Sequence, residues 1–490
     1  MRTMSRLVLS VVLFLLVGGC AAPPAVDEDE TPKRPSPTME FVSRPDLTPP
    51  VINVVTETAG ADPGYVLLAT RIRNRVEGEP QGHALILGED AEPVWVMRVE
   101  DNGDGVFVND LAVQSYLGQP VLTYWRGKSP ERGWGVGEYV LLDQSYQEVA
   151  TVRTGDGLSE ADFHDMRITP RGTALLVSYP ERAGDRSVRD GAVQEVDIAS
   201  GEVLFEWRSG DHVGLDESYE PAPEDRDAAY DYFHINSVDE DADGNLLVSA
   251  RHTNALYKID RATSEVLWRL GGKRSDFTLG EDVAFSWQHD ARWLPDGRVS
   301  LLDNASDDDR EGPPSRGLVL DVDQQARTAE LVSAFANPDG HTSGSQANFQ
   351  VLPDGNSVAG WGSRPSLTEF DADGAVVRHW TYAEDIFSYR AHVAEWTGVP
   401  AEPPSVVAET GDGDTITVHV SWNGATEVTG WRVLAGPSPT DLSPVAEAGK
   451  TGFETAVELT GDAAFVRVEA LDAQGTTTGT SDAVPVRTAG

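Results

Sequence analysis

Cysteine is almost missing from this chain of 490 residues: one stands at position 20 and none follows it. The folded part therefore has no disulfide, no thiolate metal site and no cysteine nucleophile. Cations are scarce as well, 38 Lys and Arg against 80 Asp and Glu for a net charge of −42. Phosphate binding needs a basic patch, so nucleic acid is excluded as a natural partner. Any site for an anionic substrate must gather its few cations in one place. Helical periodicity of useful length is also absent from the repeating part of the chain, which leaves strands as its material.

Residues 1–20, "MRTMSRLVLSVVLFLLVGGC", carry two arginines, an apolar run from Leu7 to Val17 and small residues before the cysteine. That run is too short to cross a bilayer and reads as a secretory signal peptide. Val17-Gly18-Gly19-Cys20 resembles a bacterial lipobox, which predicts lipidation at Cys20 and an extracytoplasmic, membrane-anchored bacterial lipoprotein, on the cell surface or in the periplasm. Residues 21–55 are rich in Pro, Thr and acids and are expected to form a disordered tether.

Between residues 56 and 400 one pattern recurs: a strand, a charged or Gly turn, and an apolar strand ending in Trp, Val or Phe. Its copies start near residues 85, 141, 195, 258, 319 and 369, among them "KIDRATSEVLWRL" and "EFDADGAVVRHW". That spacing suits a four-stranded propeller blade with its loops, and six copies predict six blades. A second series interleaves with the first, including "HDMRITPRGTALLVSY", "HINSVDEDADGNLLVSARHTN", "HDARWLPDGRVSLLDN" and "ANFQVLPDGNSVAGWGS". These are expected to be inner strands. A plain β-sandwich would not need so regular a repeat. Residues 401–490 change to short alternating strands with Gly and Asn turns, and resemble a fibronectin type III sandwich with Trp422 on its second-strand pattern. The fold class is all-β: a six-bladed β-propeller followed by a small sandwich.

His164 in "DFHDMRI", His234 in "YFHINSV" and His289 in "WQHDARW" are read at one shared place in consecutive repeats. Rotation about a propeller axis brings such residues together at the channel mouth. Two chemistries use converging imidazoles. One is a metal site, with Asp165 and Asp290 orienting the rings; the separate blades of the three ligands speak against a catalytic zinc. The other is nucleophilic attack on a phosphoryl or sulfuryl centre, with Arg251 in "SARH" as the cation that binds tetrahedral oxyanions. Asn348 falls where the next blade's head residue belongs and is a candidate substrate contact. The half-loop "DEDADGN" lacks the acidic twelfth position of a calcium loop and reads as an acidic turn. His341, Ser343 and Ser345 are further channel candidates without a nucleophile elbow. His83, His212, His379, His392 and His419 are read as surface or packing residues.

"FHINSVDEDADGNLLVSARHTNALYKIDRATSEVLWRLGGKRSDF" followed by "FSWQHDARWLPDGRVSLLDNA" resembles the arylsulfotransferase family of six-bladed propellers, over roughly residues 60–400. The resemblance implies transfer of a sulfuryl group from an aryl sulfate to a phenol through a sulfohistidine, with no nucleotide sulfate donor, no cofactor and no metal. It assigns the nucleophile to His289, binding of the sulfuryl oxygens to His234, Asn236 and Arg251, and an acid or base role to His164. With a lipobox and a C-terminal sandwich the chain resembles a divergent, lipoprotein branch. The other class of function open to such a chain is a non-catalytic surface propeller that binds a ligand or a protein.

Overall fold

A computed structural model describes residues 37–488 other than 74, 76–78, 132, 159, 310 and 412. The signal segment, Cys20 and residues 21–36 of the expected tether lie outside the described residues. Apolar residues alternate along short strands, and turn glycines such as Gly244 and Gly297, at φ of 85° and 88°, let the chain reverse after a few residues. Six meanders result.

Blade 2 is Phe107–Tyr116, Gln119–Glu131, Trp134–Leu142 and Glu148–Val152. Blade 3 is Met166–Ile168, Thr173–Ser178, Ala192–Asp197 and Val203–Arg208. Blade 4 is Ile235–Glu240, Leu246–Ala250, Ala255–Ile259 and Val266–Gly271. Blade 5 runs from His289–Trp293 through Val299–Asp303 and Arg316–Asp323 to Thr328–Ala336, with Thr278–Leu279 added at its outer edge. Blade 6 is Asn348–Val351, Ser357–Gly360, Ser366–Phe370 and Val376–Thr381. The six copies seen in the sequence are the third strands and the turns into the fourth.

Blade 1 is built from both ends of the propeller. Its inner strand is Ile386–Ala394, paired antiparallel with Tyr65–Ile72, then Gly82–Leu87 and Pro93–Val99. This late strand closes the ring and removes the open edge that a linear array would leave. Adjacent inner strands pack blade against blade around the whole ring. Asn348 and Gln350 stitch the closure, because each side-chain amide both donates to and accepts from one backbone residue of the closing strand, Ala391 and Val393 respectively.

Residues 37–55 correct the expected tether. Asn53–Glu57 adds a fifth strand to blade 6. Upstream, Thr38 bridges to Pro50, and Phe41 and Leu47 are buried in a core shared by blades 1 and 6 and Phe453 of the C-terminal domain. Two large apolar side chains with a core to enter are enough to fix a Pro-rich segment.

From Ser405 onward two sheets share one core: Glu454–Thr460, Thr415–Ser421, Ser405–Thr410 and Arg487–Thr488 face Asp441–Gly449, Gly430–Ser438, Phe465–Leu471 and Thr477–Thr480. Its fully buried indole is Trp431, whereas Trp422 follows its strand and stays partly exposed. The sandwich is bolted to the propeller: Asn423 pairs with both backbone groups of Val96, and the Tyr146 hydroxyl donates to the Gly424 carbonyl.

Candidate active site

Inner strands start, and second strands finish, at the same end of the ring. His289 opens the inner strand of blade 5 and pairs with Leu302, near the end of the second strand. Arg251 directly follows the second strand of blade 4. Chain direction alone thus delivers the histidines and Arg251 to one mouth of the channel.

The expected common place of three histidines holds for two. Counted back from the turn glycines Gly172 and Gly297, His164 and His289 stand eight residues away, but the residue eight before Gly244 is Asn236. His234 lies two residues further upstream, in a left-handed conformation at φ 53° that turns its ring back into the cluster. It reaches the site from a loop rather than from the strand.

The rings still meet. His164 and His234 have centroids 5.0 Å apart, and His234 stacks on His252 at 4.5 Å. Tyr389, on the closing strand of blade 1, packs edge-on against His164 at 5.5 Å and against His289 at 6.3 Å. All four imidazoles are buried.

Each is oriented through Nδ1. The Asn304 amide nitrogen donates to the carbonyls of Ser343 and Gln346, which turns its Oδ1 toward His289 to accept from Nδ1–H at 2.7 Å. Nδ1 of His164 is held by the Asp162 carboxylate, and that of His234 by Asp231 at 2.5 Å. His252 donates from Nδ1 to the Asp231 carbonyl at 2.6 Å and accepts from Arg251 Nη1 at Nε2, at 2.8 Å. With Nδ1 bonded in every case, Nε2 is the nitrogen left open on His164, His234 and His289, whereas that of His252 is taken by Arg251.

Burial is the main reason His234, His252 and His289 stay neutral, and Arg251 adds to it. His289 lies well below its ordinary pKa because it is desolvated and because Arg251 is close. Burial, then His164 and Arg251, do the same to His234, while burial and His234 take His252 down to about 3. The Arg251 guanidinium, itself lowered by burial, also donates to the Gly344 carbonyl at 3.0 Å and lies 4.7 Å over Trp287. Its Nε is buried without a partner among the described residues. A neutral imidazole beside a fixed guanidinium can attack an electrophile whose oxygens bear negative charge.

Three expected residues are corrected. Asn348 is fully buried and both of its amide ends engage Ala391, so it closes the ring and does not line the site. Asp165 and Asp290 do not orient histidines: Arg292 makes two bonds to Asp165, both at 2.8 Å, and one from Nε to Asp290 at 2.9 Å. Asn236 is in the site, with one amide hydrogen on the Gln288 carbonyl and Oδ1 unpartnered among the described residues. Of the serine candidates, Ser343 serves through its carbonyl, beneath Asn304.

Sequence reasoning missed His252, Asn304, Asp162, Asp231 and Tyr389. An acid two or three residues ahead of a histidine, as in "DFH" and "DYFH", was the available signal for the two aspartates. Among the described residues the group with metal-ligand spacing is Asp231, His234 and His252. Its atoms are engaged with one another and with the Arg251 cation, which fits the aiming of His234 better than a metal.

No curated protein matches the chain. Among solved structures, it is similar to a protein of unknown function from Bacteroides caccae, at 15% identity and a TM-score of 0.41 over 67% of this chain and 98% of that one. It is similar at 10% identity and a TM-score of 0.36 to a catalytically inactive histidine-to-alanine variant of virginiamycin B lyase from Staphylococcus aureus with quinupristin, over 75% of this chain and 95% of that one. A protein from Lactobacillus plantarum has a TM-score of 0.36 at 14% identity, over 81% of this chain and 99% of that one. The family described as arylsulfotransferase (ASST) matches residues 112–383, which run from within the first strand of blade 2 to just past Val376–Thr381 of blade 6 and include every histidine of the cluster. More than half of the sequence lies within that match, and the chain belongs to the arylsulfotransferase family.

Proposed function

We propose that this protein transfers a sulfuryl group from an aryl sulfate to a phenol by a ping-pong route through a sulfohistidine at His289. The observation that carries the reading is the lock on His289: Asn304 holds Nδ1–H and is itself held by two carbonyls, so a neutral Nε2 lone pair is presented next to Arg251. Nε2 forms a bond to sulfur as the bond from sulfur to the aryl oxygen breaks. His164 enters this half with a proton on each ring nitrogen, balanced by the Asp162 carboxylate at Nδ1, and gives the Nε2 proton to the leaving phenolate. In the second half the acceptor phenol loses its proton to His164, its oxygen bonds to sulfur, and the N–S bond breaks. Arg251 and the second amide hydrogen of Asn236 donate to the sulfuryl oxygens through both halves, with the His234 ring packed beside them.

Mass spectrometry after incubation with 4-nitrophenyl sulfate tests the reading. An acid-labile adduct of one sulfuryl group on His289 is expected; its absence across a panel of aryl sulfates favours a non-catalytic binding propeller. We also propose that Cys20 carries lipid and anchors the enzyme outside the cytoplasm, which loss of membrane association in Cys20→Ala would support.

A further inference from the structure

In a chain short of cations, "ATRIRNR" sets three arginines within five residues, Arg71, Arg73 and Arg75. Arg75 pairs with Asp101 at the surface. The Arg71 side chain has no acidic partner and no hydrogen bond among the described residues. Its guanidinium lies 3.5 Å from the Phe107 ring centroid and 5.5 Å from that of Phe387, while Arg73 approaches the Phe387 ring at 4.9 Å. Burial alone pulls the Arg71 pKa down to about 10, with no carboxylate to offset it. Most other arginines of the propeller hold a carboxylate, as Arg292, Arg378 and Arg390 do. Leaving a cation half-buried and unpaired is costly, and the two phenyl faces offset only part of the cost.

Arg71 is the next-to-last residue of Tyr65–Ile72, the second strand of blade 1, and pairs with Phe387 near the start of the closing strand. Second strands finish at the mouth that holds His289. Blade 1 stands across the ring from blade 4, which supplies Arg251. A run of aromatic contacts joins the two regions: Phe107 lies 6.0 Å from Phe163, Phe163 stacks on His164 at 4.5 Å, and Phe163 meets Tyr389 at 6.1 Å. The Tyr389 hydroxyl is buried without a hydrogen-bond partner among the described residues.

We propose that Arg71, cradled by Phe107 and Phe387, is a second anion subsite that selects aryl substrates bearing a further carboxylate or sulfonate group on the ring. Arg251 would bind the sulfuryl group in transit and Arg71 the permanent charge at the far end of the molecule. The inference rests on the reading of this mouth as a phenol and aryl sulfate site. Its ligand chemistry is a ring-borne oxyanion, planar or tetrahedral.

Calorimetric titration of the intact protein with 4-hydroxybenzoate, phenol-4-sulfonate and the neutral 4-hydroxybenzyl alcohol tests it. At least one anion is expected to bind about 10-fold tighter than the alcohol at low salt, the size of one charge-assisted pair. Arg71→Gln should abolish the difference and Arg71→Lys should retain part of it, each checked for an unchanged melting profile. A carboxylate-only or sulfonate-only preference supports the subsite and names its geometry. Equal affinity of all three probes for the wild type overturns it, even where Arg71→Gln fails to fold, as does discrimination that survives in folded Arg71→Gln. His289→Ala should keep the preference, so loss of the sulfohistidine reading would appear in the adduct experiment and not here.

Discussion

The two halves of the channel are both buried and both polar, and they use polarity in opposite ways. Below the histidines, Arg390 donates from Nη1 to Asp110 at 3.0 Å and to Asp165 at 2.7 Å, and from Nη2 to the Asn236 carbonyl at 3.1 Å. Arg292 bridges Asp165 to Asp290, while the backbone amides of Val238 and Phe349 donate to the same two carboxylates. Burial works against the Asp165 charge, yet Arg292 and Arg390 outweigh it and hold its carboxyl below the usual range. This half is charged and closely paired. At the mouth, His234 and His289 are neutral and anchored at one nitrogen only. A paired network fixes six strand ends against one another; a set of neutral rings with one nitrogen free can react.

Removing the reactive end should give the largest effect. His289→Ala is expected to lower transfer from 4-nitrophenyl sulfate to phenol by at least about a thousandfold, since loss of a nucleophile leaves no covalent route. Its melting temperature should stay near that of the wild type. Turnover within tenfold of the wild type would rule out the nucleophile.

Breaking the paired half should act on stability instead. Asp165→Asn leaves Arg292 and Arg390 facing a neutral amide in the interior and should cost about 3–5 kcal/mol. Urea denaturation measures this, and a loss under 1 kcal/mol would mean that the network does not hold the channel together. Asp162→Asn sharpens the comparison from the other side, because it removes the partner of His164 without touching the paired half. A fall in kcat of about a hundredfold with little change in stability is expected.

Acid should separate the halves as well. Burial holds His83 down to about 4 and His252 down to about 3, with His234 and His289 well below the ordinary value. The unfolded chain binds protons at these rings near pH 6.5, where the folded chain does not. Their contribution is therefore complete above that pH and is lost as pH falls toward the folded values, by up to about 1.4 kcal/mol per ring and pH unit. Denaturant midpoints at pH 7, 6 and 5 should decline, and a flat series would contradict neutral burial. The smallest effect is expected at Asn348. Asn348→Ala should cost about 1 kcal/mol for the lost backbone pairing and leave KM for 4-nitrophenyl sulfate unchanged, because its amide faces Ala391.

The propeller was legible because its blades repeat: third strands near Leu85, Val319 and Glu369 carry the same alternation and the same turn chemistry. The closing strand was not, since "IFSYRAHVA" pairs with a segment more than 300 residues earlier and nothing local marks that pairing. His289, His164 and Arg251 could be placed from strand register alone. His234 was misplaced by two residues, because a left-handed turn, and not the strand, aims it. Asn348 looked like a site residue by position, and its two bonds to Ala391 depend on a strand that only the closed ring brings alongside.

The sequence by itself determined the all-β meanders, the sixfold repeat and which residues head the inner strands, because those follow from the period-2 alternation of side chains and from turn glycines. The tertiary structure alone decided which histidines share a cluster, which nitrogen of each ring is bound, and which arginines lack an acid. Those are outcomes of bringing distant strand ends within hydrogen-bond reach in a space with little water, where a displacement of one residue changes every partner.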